Sequence, residues 1–429
     1  MRDGTGKQMM GASTPQEAAL AEVGLPLEEL VRRGAREIIQ RAIEAEVQLL
    51  LEQYEDVRLL DGRRAVVRNG TLPEREILTA VGPVPVQVPK VRDRSGAGVK
   101  FNSALAPPYV RRSARVAAAL PWLYLKGISS GDLGEALEVL VGEGAKGLSA
   151  AALSRLKAQW SEEYQGWSRR SLAESEYAYW WVDGIYTTLR ESDDPRLCLL
   201  VIIGVRADGT KEWVAIEDGL RESTESWLDV LRDLKARGLK NGPRLAVGDG
   251  ALGFWSALEQ VYPDTLHQRC WFHKTGNVLA ALPKSLQSKA KADLQAIWMA
   301  ATYKDAVRAF ERFVNRYQAK YPKATEKLVK DRDALLAFFA FPAEHWVHLR
   351  TTNPIESTFA TVRHRTTRTK NCVSRSTFLG LAFKLAEEAA KSWRRIRTPE
   401  KVAELLAGTR YEDGIPVPDD PPEEQRDAA

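Results

Sequence analysis

Between residues 178 and 218 the chain returns three times to stretches rich in aromatic and β-branched residues. These are AYWWVDGIYTTLR, RLCLLVIIGVRADG and KEWVAIEDG, separated by turn-forming residues. Side chains of this kind fit a pleated, largely buried surface, so the spacing predicts three consecutive strands in an antiparallel meander. The next 50 or so residues alternate in type. STESWLDVLRDLKARG reads as an amphipathic helix, RLAVGDG as a short strand, LGFWSALEQVYP as a helix and TLHQRC as a strand. Strands interleaved with helices in this way give an α/β order. From about Thr275 to Phe341 the strand signals stop and the sequence reads as helix almost throughout. After Asn353, PIESTFATVRHRTTRT reads as a helix with Pro354 at its first position. A further helix is expected from about Ser374 to Arg395.

Upstream of the strands the texture is different. Residues 1–24 read as a loose, disordered arm. Residues 25–56 carry apolar side chains at helical spacing with charges between them. Asp61-Gly62 and Asn69-Gly70 are turn signals. VPVQVPKV, from Val84 to Val91, alternates at period two, and its prolines confine it to an edge or an extended arm. Arg63, Arg64, Arg68, Lys90, Arg92 and Arg94 make this stretch basic. Residues 127–160 read as two helices around the turn GEGAKG, with Ser149 placed to cap the second. That pattern fits a helix-turn-helix, whose second helix can lie in the major groove, and equally an ordinary helical hairpin. Residues 25–165 are thus expected to form a mainly helical, DNA-binding region, ahead of an α/β unit over 175–274. An all-helical insertion over 275–345 comes next, then the closing helices of the α/β unit over 346–400, and an acidic tail over 401–429.

The charge distribution supports a polyanionic partner. The chain of 429 residues carries a formal net charge of +5. From Arg350 to Arg397 there are 11 Lys/Arg against 3 Asp/Glu, whereas from Tyr411 onward seven acids stand against Arg426. A basic block followed by an acidic end suggests a nucleic-acid surface and a solvated terminus. The longest strongly apolar run, Leu197 to Val205, is far short of the about 20 residues a membrane helix needs. The first 17 residues have no apolar core of the signal-peptide type, so a cytoplasmic, nucleoid-associated protein without a membrane partner is expected. Cys198, Cys270 and Cys372 are too far apart to suggest a disulfide framework. No GxxxxGK[ST] loop is present, so no nucleotide cofactor is expected.

Two aspartates stand where charge is costly. Asp183 lies inside YWWVDGIY, and a charge within an apolar strand must be paired or bind a metal. Asp249 ends the strand of LAVGDG, where glycines allow close approach and where α/β sheets collect ligands. Glu356 opens the helix of TTNPIESTFA, a position that also favours an acid through the helix dipole. The strand and helix order matches the ribonuclease-H-like fold. In such a sheet, three carboxylates from different elements can hold two Mg²⁺ ions for phosphodiester chemistry, with Mn²⁺ as a substitute.

At these residues the sequence resembles the Mutator-like family of bacterial insertion-sequence transposases. The matching stretches are GRRAVVRNGTLPERE, LPWLYLKGISSGD, WVDGIY, AVGDG, QRCWFHK, HWVHLRTTNPIESTFATVRHRT and FKLAEEAAKSWRRIR, spread from about residue 25 to 400. The resemblance implies an Asp-Asp-Glu catalytic triad of Asp183, Asp249 and Glu356, which would also be the metal ligands. It implies a substrate of terminal inverted repeats and target DNA, and a homodimer or higher oligomer that brings two ends together. The 107 residues between Asp249 and Glu356 exceed a minimal core, and the predicted helical segment fills that gap as the family's insertion does.

The resemblance also marks Cys270 and His273, a Cys-x-x-His after the second Asp. Structural zinc needs about four ligands, and no second Cys/His pair of suitable spacing exists, so a role in positioning the loop or touching DNA is preferred. His345, His348, Arg350 and Asn353 precede or open the Glu356 helix and are candidates to line the site. Arg363, Arg365, Arg368 and Lys370 follow it and are candidates for phosphate contacts. Trp298 fits either a core position or a stacking platform for an unpaired base.

Overall fold

The computed structural model describes residues 26–418 except 130, 143–148, 189–195, 220, 251 and 369–373. The chain divides into two compact units, Met1–Leu153 and Ser154–Ala429.

In the first unit, helix α1 (Leu27–Gln53) packs Ile43 against Val84, Val86, Val88 and Ala106. Four short strands follow it: β1 (Val66–Thr71), β2 (Arg75–Thr79), β3 (Gly82–Val86) and β4 (Pro89–Asp93). They form two separate two-stranded antiparallel sheets, β1 with β4 and β2 with β3. Helix outweighs strand in this region, as expected, but β1 and β2 were not anticipated. Their runs are short and half polar, so the period-two signal was too weak to read. VPVQVPKV splits between β3 and β4. At the crossing, the Gln40 side chain donates to the Gln87 carbonyl at 2.9 Å and accepts from the Gln87 amide at 3.1 Å. It thereby satisfies both backbone groups that leave the ladder. Every strand of a two-stranded sheet is an edge, which is where Pro83, Pro85 and Pro89 are tolerated. Three of the basic residues here are paired, Arg63 with Asp61, Arg64 with Glu55 and Arg68 with Glu44.

Helices α2 (Ala114–Leu125) and α3 (Leu133–Val141) complete that unit, and α4 (Ala150–Ser168) spans the boundary. Ser149 caps α4, its hydroxyl accepting from the Ala152 amide at 3.2 Å. The residues between α3 and α4, where a helix-turn-helix would turn, lie outside the described ones, as do the arm over 1–24 and residues 419–429 of the tail.

The second unit is built on a five-stranded mixed sheet in the order β7-β6-β5-β8-β9. The strands are β5 (Tyr179–Thr188), β6 (Arg196–Val205), β7 (Lys211–Asp218), β8 (Leu245–Gly248) and β9 (Leu266–Arg269). The first three form the antiparallel meander that the sequence predicts, and β8 and β9 join in parallel. The run from Leu197 to Ile203 in β6 is apolar on both faces because both are covered; Leu199, Leu200, Val201 and Ile202 are fully buried. Helices α5 (Thr224–Ala236) and α6 (Leu252–Val261) cover one face. Trp227, Leu231, Phe254 and Leu258 meet Trp180, Val182, Leu200, Ile202 and Ala246 there.

Beyond β9 the described chain is helical until the last hairpin. It runs through α7 (Trp271–Leu279), α8 (Lys284–Trp298), α9 (Tyr303–Tyr317), α10 (Pro322–Val329), α11 (Arg332–Leu336), two 3₁₀ turns and α12 (Trp346–Leu349). Helix α13 (Asn353–Arg368) then returns to β5 and β6, and α14 (Arg375–Ala390) lies on β7. Helix α14 ends short of the predicted Arg395. The expectation of a solvated end from Tyr411, within the acidic tail over 401–429, is corrected as well. Helix α15 (Glu400–Leu406) and the hairpin β10 (Arg410–Glu412) with β11 (Ile415–Val417) are folded, and Tyr411 is buried. The acids in that stretch gave no hint that Val402, Leu405 and Tyr411 had partners elsewhere in the chain. No described helix is long and apolar enough to cross a membrane.

Candidate active site

The sheet register places the two aspartates. Trp181 of β5 pairs in parallel with Val247 of β8, and two residues further along each path stand Asp183 and Asp249. They therefore come close together where β8 ends, Asp183 partway along β5 and Asp249 just past the last residue of β8, at the C-terminal end of a strand where α/β sheets gather ligands. Burial, reinforced by the nearby Asp249 charge, pushes the Asp183 carboxyl up to about 7, with Glu356 adding in the same direction and His273 opposing. Two like charges forced together in a half-buried place are a standing demand for a cation.

Glu356 arrives from the other direction. On β5 the residues Tyr179 and Trp181 share a face, and the segment 345–359 covers it. The Trp181 indole donates to the His348 carbonyl at 3.0 Å. The Tyr179 hydroxyl meets His345 Nδ1 at 2.7 Å. These contacts fix the start of α13, whose first turn carries Glu356. Thr352, fully buried, donates its hydroxyl to Glu356 Oε1 at 2.9 Å.

Cys270 and His273 belong to this same end of the sheet. Cys270 stands at the N-terminus of α7, is buried, and its sulfur accepts from the Thr352 amide at 3.4 Å. His273 Nε2 lies 3.7 Å from Glu356 Oε1. The neighbouring Cys270 sulfur, with help from Asp249 and Glu356 and against burial, raises His273 to about 9. Burial alone would raise the Cys270 thiol, but His273 and Thr352 together bring it below the ordinary range. Among the described residues, Cys270, His273 and Glu356 are the group whose ligand atoms lie within 4.8 Å of one another.

Two further residues at the site escaped the sequence reading. Glu222, in the loop after β7, lies against the backbone beside Asp183; a Cβ on Gly184 would stand 2.6 Å from its carboxyl carbon. It lines a small cavity with Asp249, Gly248 and Gly250. Burial first, then Asp249 and Asp183, push it up to about 7. No periodicity or motif marks it. The guanidinium of Arg269 occupies the space where a side chain at residue 250 would go, within 1.4 Å of a Cβ there. Gly250, at φ 103°, is thus required by conformation, with the Arg269 guanidinium set close beside it. Arg269 sits inside QRCWFHK, so its motif was visible while its role was not.

The remaining candidates are mostly engaged in the fold. His345 is buried, held between Tyr179 and the Thr398 carbonyl, and burial lowers its basicity. His348 accepts from the Arg397 amide at 3.4 Å and is pushed down to about 4 by burial and by Lys211 and Arg397. Neither is brought to the carboxylates. Arg350 stacks over Phe338 at 4.9 Å and over Trp346 at 5.7 Å, and burial lowers it to about 10. These contacts engage Arg350 in packing on two aromatic rings. Trp298 packs on Trp271 at 5.0 Å between ring centres, in agreement with a core position. Asn353, Arg363, Arg365 and Arg368 lie on α13, and Lys370 falls outside the described residues.

Known proteins resemble this chain over most of its length. A model of the family described as "Transposase, Mutator family" matches residues 7–395. The transposase for insertion sequence element IST2 of Acidithiobacillus ferrooxidans is 59% identical over 302 residues, 69% of this chain and 99% of that protein. The transposase for IS6120 of Mycolicibacterium smegmatis is 54% identical, covering 69% of this chain and 90% of that protein. The transposase for ISRM5 of Rhizobium meliloti is 28% identical over 88% of this chain and 92% of its own length. A match that takes in both aspartate strands and the Glu356 helix shows that this chain belongs to the Mutator family of insertion-sequence transposases.

Proposed function

We propose that the chain cuts and joins DNA at the terminal inverted repeats of its own insertion sequence, through Asp183, Asp249 and Glu356 and a pair of divalent cations. The observation that carries this reading is the approach of Asp183, within β5, to Asp249, just past the end of the parallel neighbour β8, with Asp183 raised by burial and by its neighbour. The donor set fits the ions: carboxylate oxygens crowded at a strand end are hard ligands that suit Mg²⁺, with Mn²⁺ as a substitute. Bound there, such ions supply an activated water or 3′-hydroxyl oxygen and stabilise the departing oxygen.

The residues of the chain do the rest. Asp183 and Asp249 hold position on the rigid sheet. Glu356 is steered by the Thr352 hydroxyl. Arg269, beside Gly250, offsets the accumulated negative charge. In this reading the sheet is of the ribonuclease-H-like kind, and α7 to α12 are an insertion between the second aspartate and the glutamate. The first unit and the basic residues of α13 contact DNA, and two copies of the chain or more synapse the two ends.

The test is a strand-transfer assay with labelled end DNA and Mg²⁺, comparing the native chain with Asp183→Asn, Asp249→Asn and Glu356→Gln. Joined products are expected from the native chain and a loss of at least about 1,000-fold in each variant, with end binding retained. Variants that join as well as the native chain would remove the triad assignment. Cleaved ends without joined products would favour a nuclease that cuts but does not transfer.

A further inference from the structure

Cys270, His273 and Glu356 come from α7 and α13, far apart in the chain, yet a sulfur, an imidazole nitrogen and a carboxylate oxygen fall within 4.8 Å of one another. Zinc–sulfur and zinc–nitrogen bonds of about 2.0–2.3 Å set ligands of a tetrahedral ion about 3.5 Å apart. The His273 to Glu356 separation of 3.7 Å already meets that spacing. The two edges to the Cys270 sulfur are each within 4.8 Å, so closing them needs a movement of about 1 Å, within the reach of side-chain rotation.

One further feature points to a ligand. The His273 ring faces Glu356 through Nε2, the nitrogen that an ion between them would bind. Thr352 ties the other two donors together: its amide and hydroxyl face the Cys270 sulfur at 3.4 and 3.5 Å, and its hydroxyl reaches Glu356 at 2.9 Å. Outer hydrogen bonds of this kind orient metal ligands. The donor set differs in kind from the all-carboxylate set of the aspartates. Thiolate and imidazole select soft or borderline ions of the zinc class, and three protein ligands leave a fourth position open.

We propose that Cys270, His273 and Glu356 form a binding site for one thiophilic transition-metal ion. Binding forms a metal–sulfur and a metal–nitrogen bond, and the protons held by the Cys270 thiol and the His273 imidazolium are released to solvent. Glu356 serves this site and, in the reading above, the Mg²⁺ pair, so an ion of the zinc class competes for it. That competition rests on the proposed function; the site itself does not.

The experiment is a titration of the full chain, free of DNA, with Co²⁺, whose thiolate bond gives a near-ultraviolet charge-transfer band. One equivalent is expected to saturate the band, and Zn²⁺ to bleach it. Cys270→Ser is expected to abolish it, and His273→Gln to weaken Co²⁺ binding by more than about 100-fold, since changing even outer partners of a metal costs 10–100-fold. His273 is only half-buried, so that variant tests the site even if Cys270→Ser fails to fold. Cys198→Ser, Cys372→Ser and Asp183→Asn should keep the band. No band in the native chain, or a band that survives both Cys270→Ser and His273→Gln, overturns the site. A band lost in Asp183→Asn would place the ion among the aspartates and overturn it too. Because the readout is optical and needs no DNA, failure of strand transfer would leave this result standing.

Discussion

At the level of single residues, the second unit keeps several carboxyls where water is scarce, and they are not equivalent. Asp183 and Glu222 crowd the aspartate end of the sheet. Glu217, on β7, is half-buried, and burial raises it to about 7 although the Tyr164 hydroxyl donates to it at 3.1 Å. A carboxyl raised in the fold above its unfolded value near 4.5 favours the folded state while protonated. Its contribution is therefore complete below about pH 4.5 and is lost as pH rises through about 7. Glu217→Gln removes that loss. The variant is expected to gain on the order of 1 kcal/mol over the native chain at pH 8 relative to pH 5, a figure reduced for partial solvent access. Denaturant melts at the two pH values check this; equal differences at both would show that Glu217 does not titrate in the fold. In the sequence, Glu217 and Glu222 look like any surface acids. Asp183 stood out because apolar residues flank it on both sides, and that local contrast is what a sequence can display.

Among the elements, spacing and capping were legible and close approach was not. The strands β5 to β9 and helices α5 and α6 follow their periodicity, and Ser374 caps α14 as a helix start should, accepting from the Thr377 amide at 3.3 Å. What the pattern does not show is where two elements touch backbone to backbone. Gly380 of α14 lies against α4: a Cβ there would meet the Ser161 amide at 2.9 Å and the Trp160 carbonyl carbon at 3.1 Å. Gly276 of α7 has nothing within 4 Å. Gly380→Ala is expected to lower stability by about 1–3 kcal/mol through overpacking. Gly276→Ala is expected to raise it by up to about 1 kcal/mol through helix propensity. Thermal melts of the two variants compare them directly, and a stabilised Gly380→Ala would disprove the close packing. The short strands β1 and β2 were missed for a related reason. Their pairing partners, β4 and β3, supply the structure that such short, polar-rich runs cannot specify alone.

For the whole molecule, the end of the chain closes the second unit. The Ile396 amide donates to the Gly209 carbonyl at 3.0 Å, Lys211 to the Arg394 carbonyl at 2.8 Å and Arg244 to the Leu406 carbonyl at 3.1 Å. The last hairpin then exchanges hydrogen bonds between Gly414 and both Phe339 and Ala343 in the helical segment. Truncation after Ala407 is expected to lower the melting temperature by several degrees relative to truncation after Pro418. Equal melting of both shortened chains would mean the hairpin contributes nothing. The sequence by itself determined the α/β order, the helical stretch between Asp249 and Glu356, and the two aspartates. Each of these is written in local periodicity or in a charge set among apolar neighbours. Only the tertiary structure decided that Glu222 joins the aspartates, that Arg269 lies against Gly250, that His345, His348 and Arg350 serve packing, and that Cys270 and His273 stand beside Glu356. Those placements depend on sheet register and on how α7 and α13 meet, and such long-range contacts leave no periodic trace in the chain.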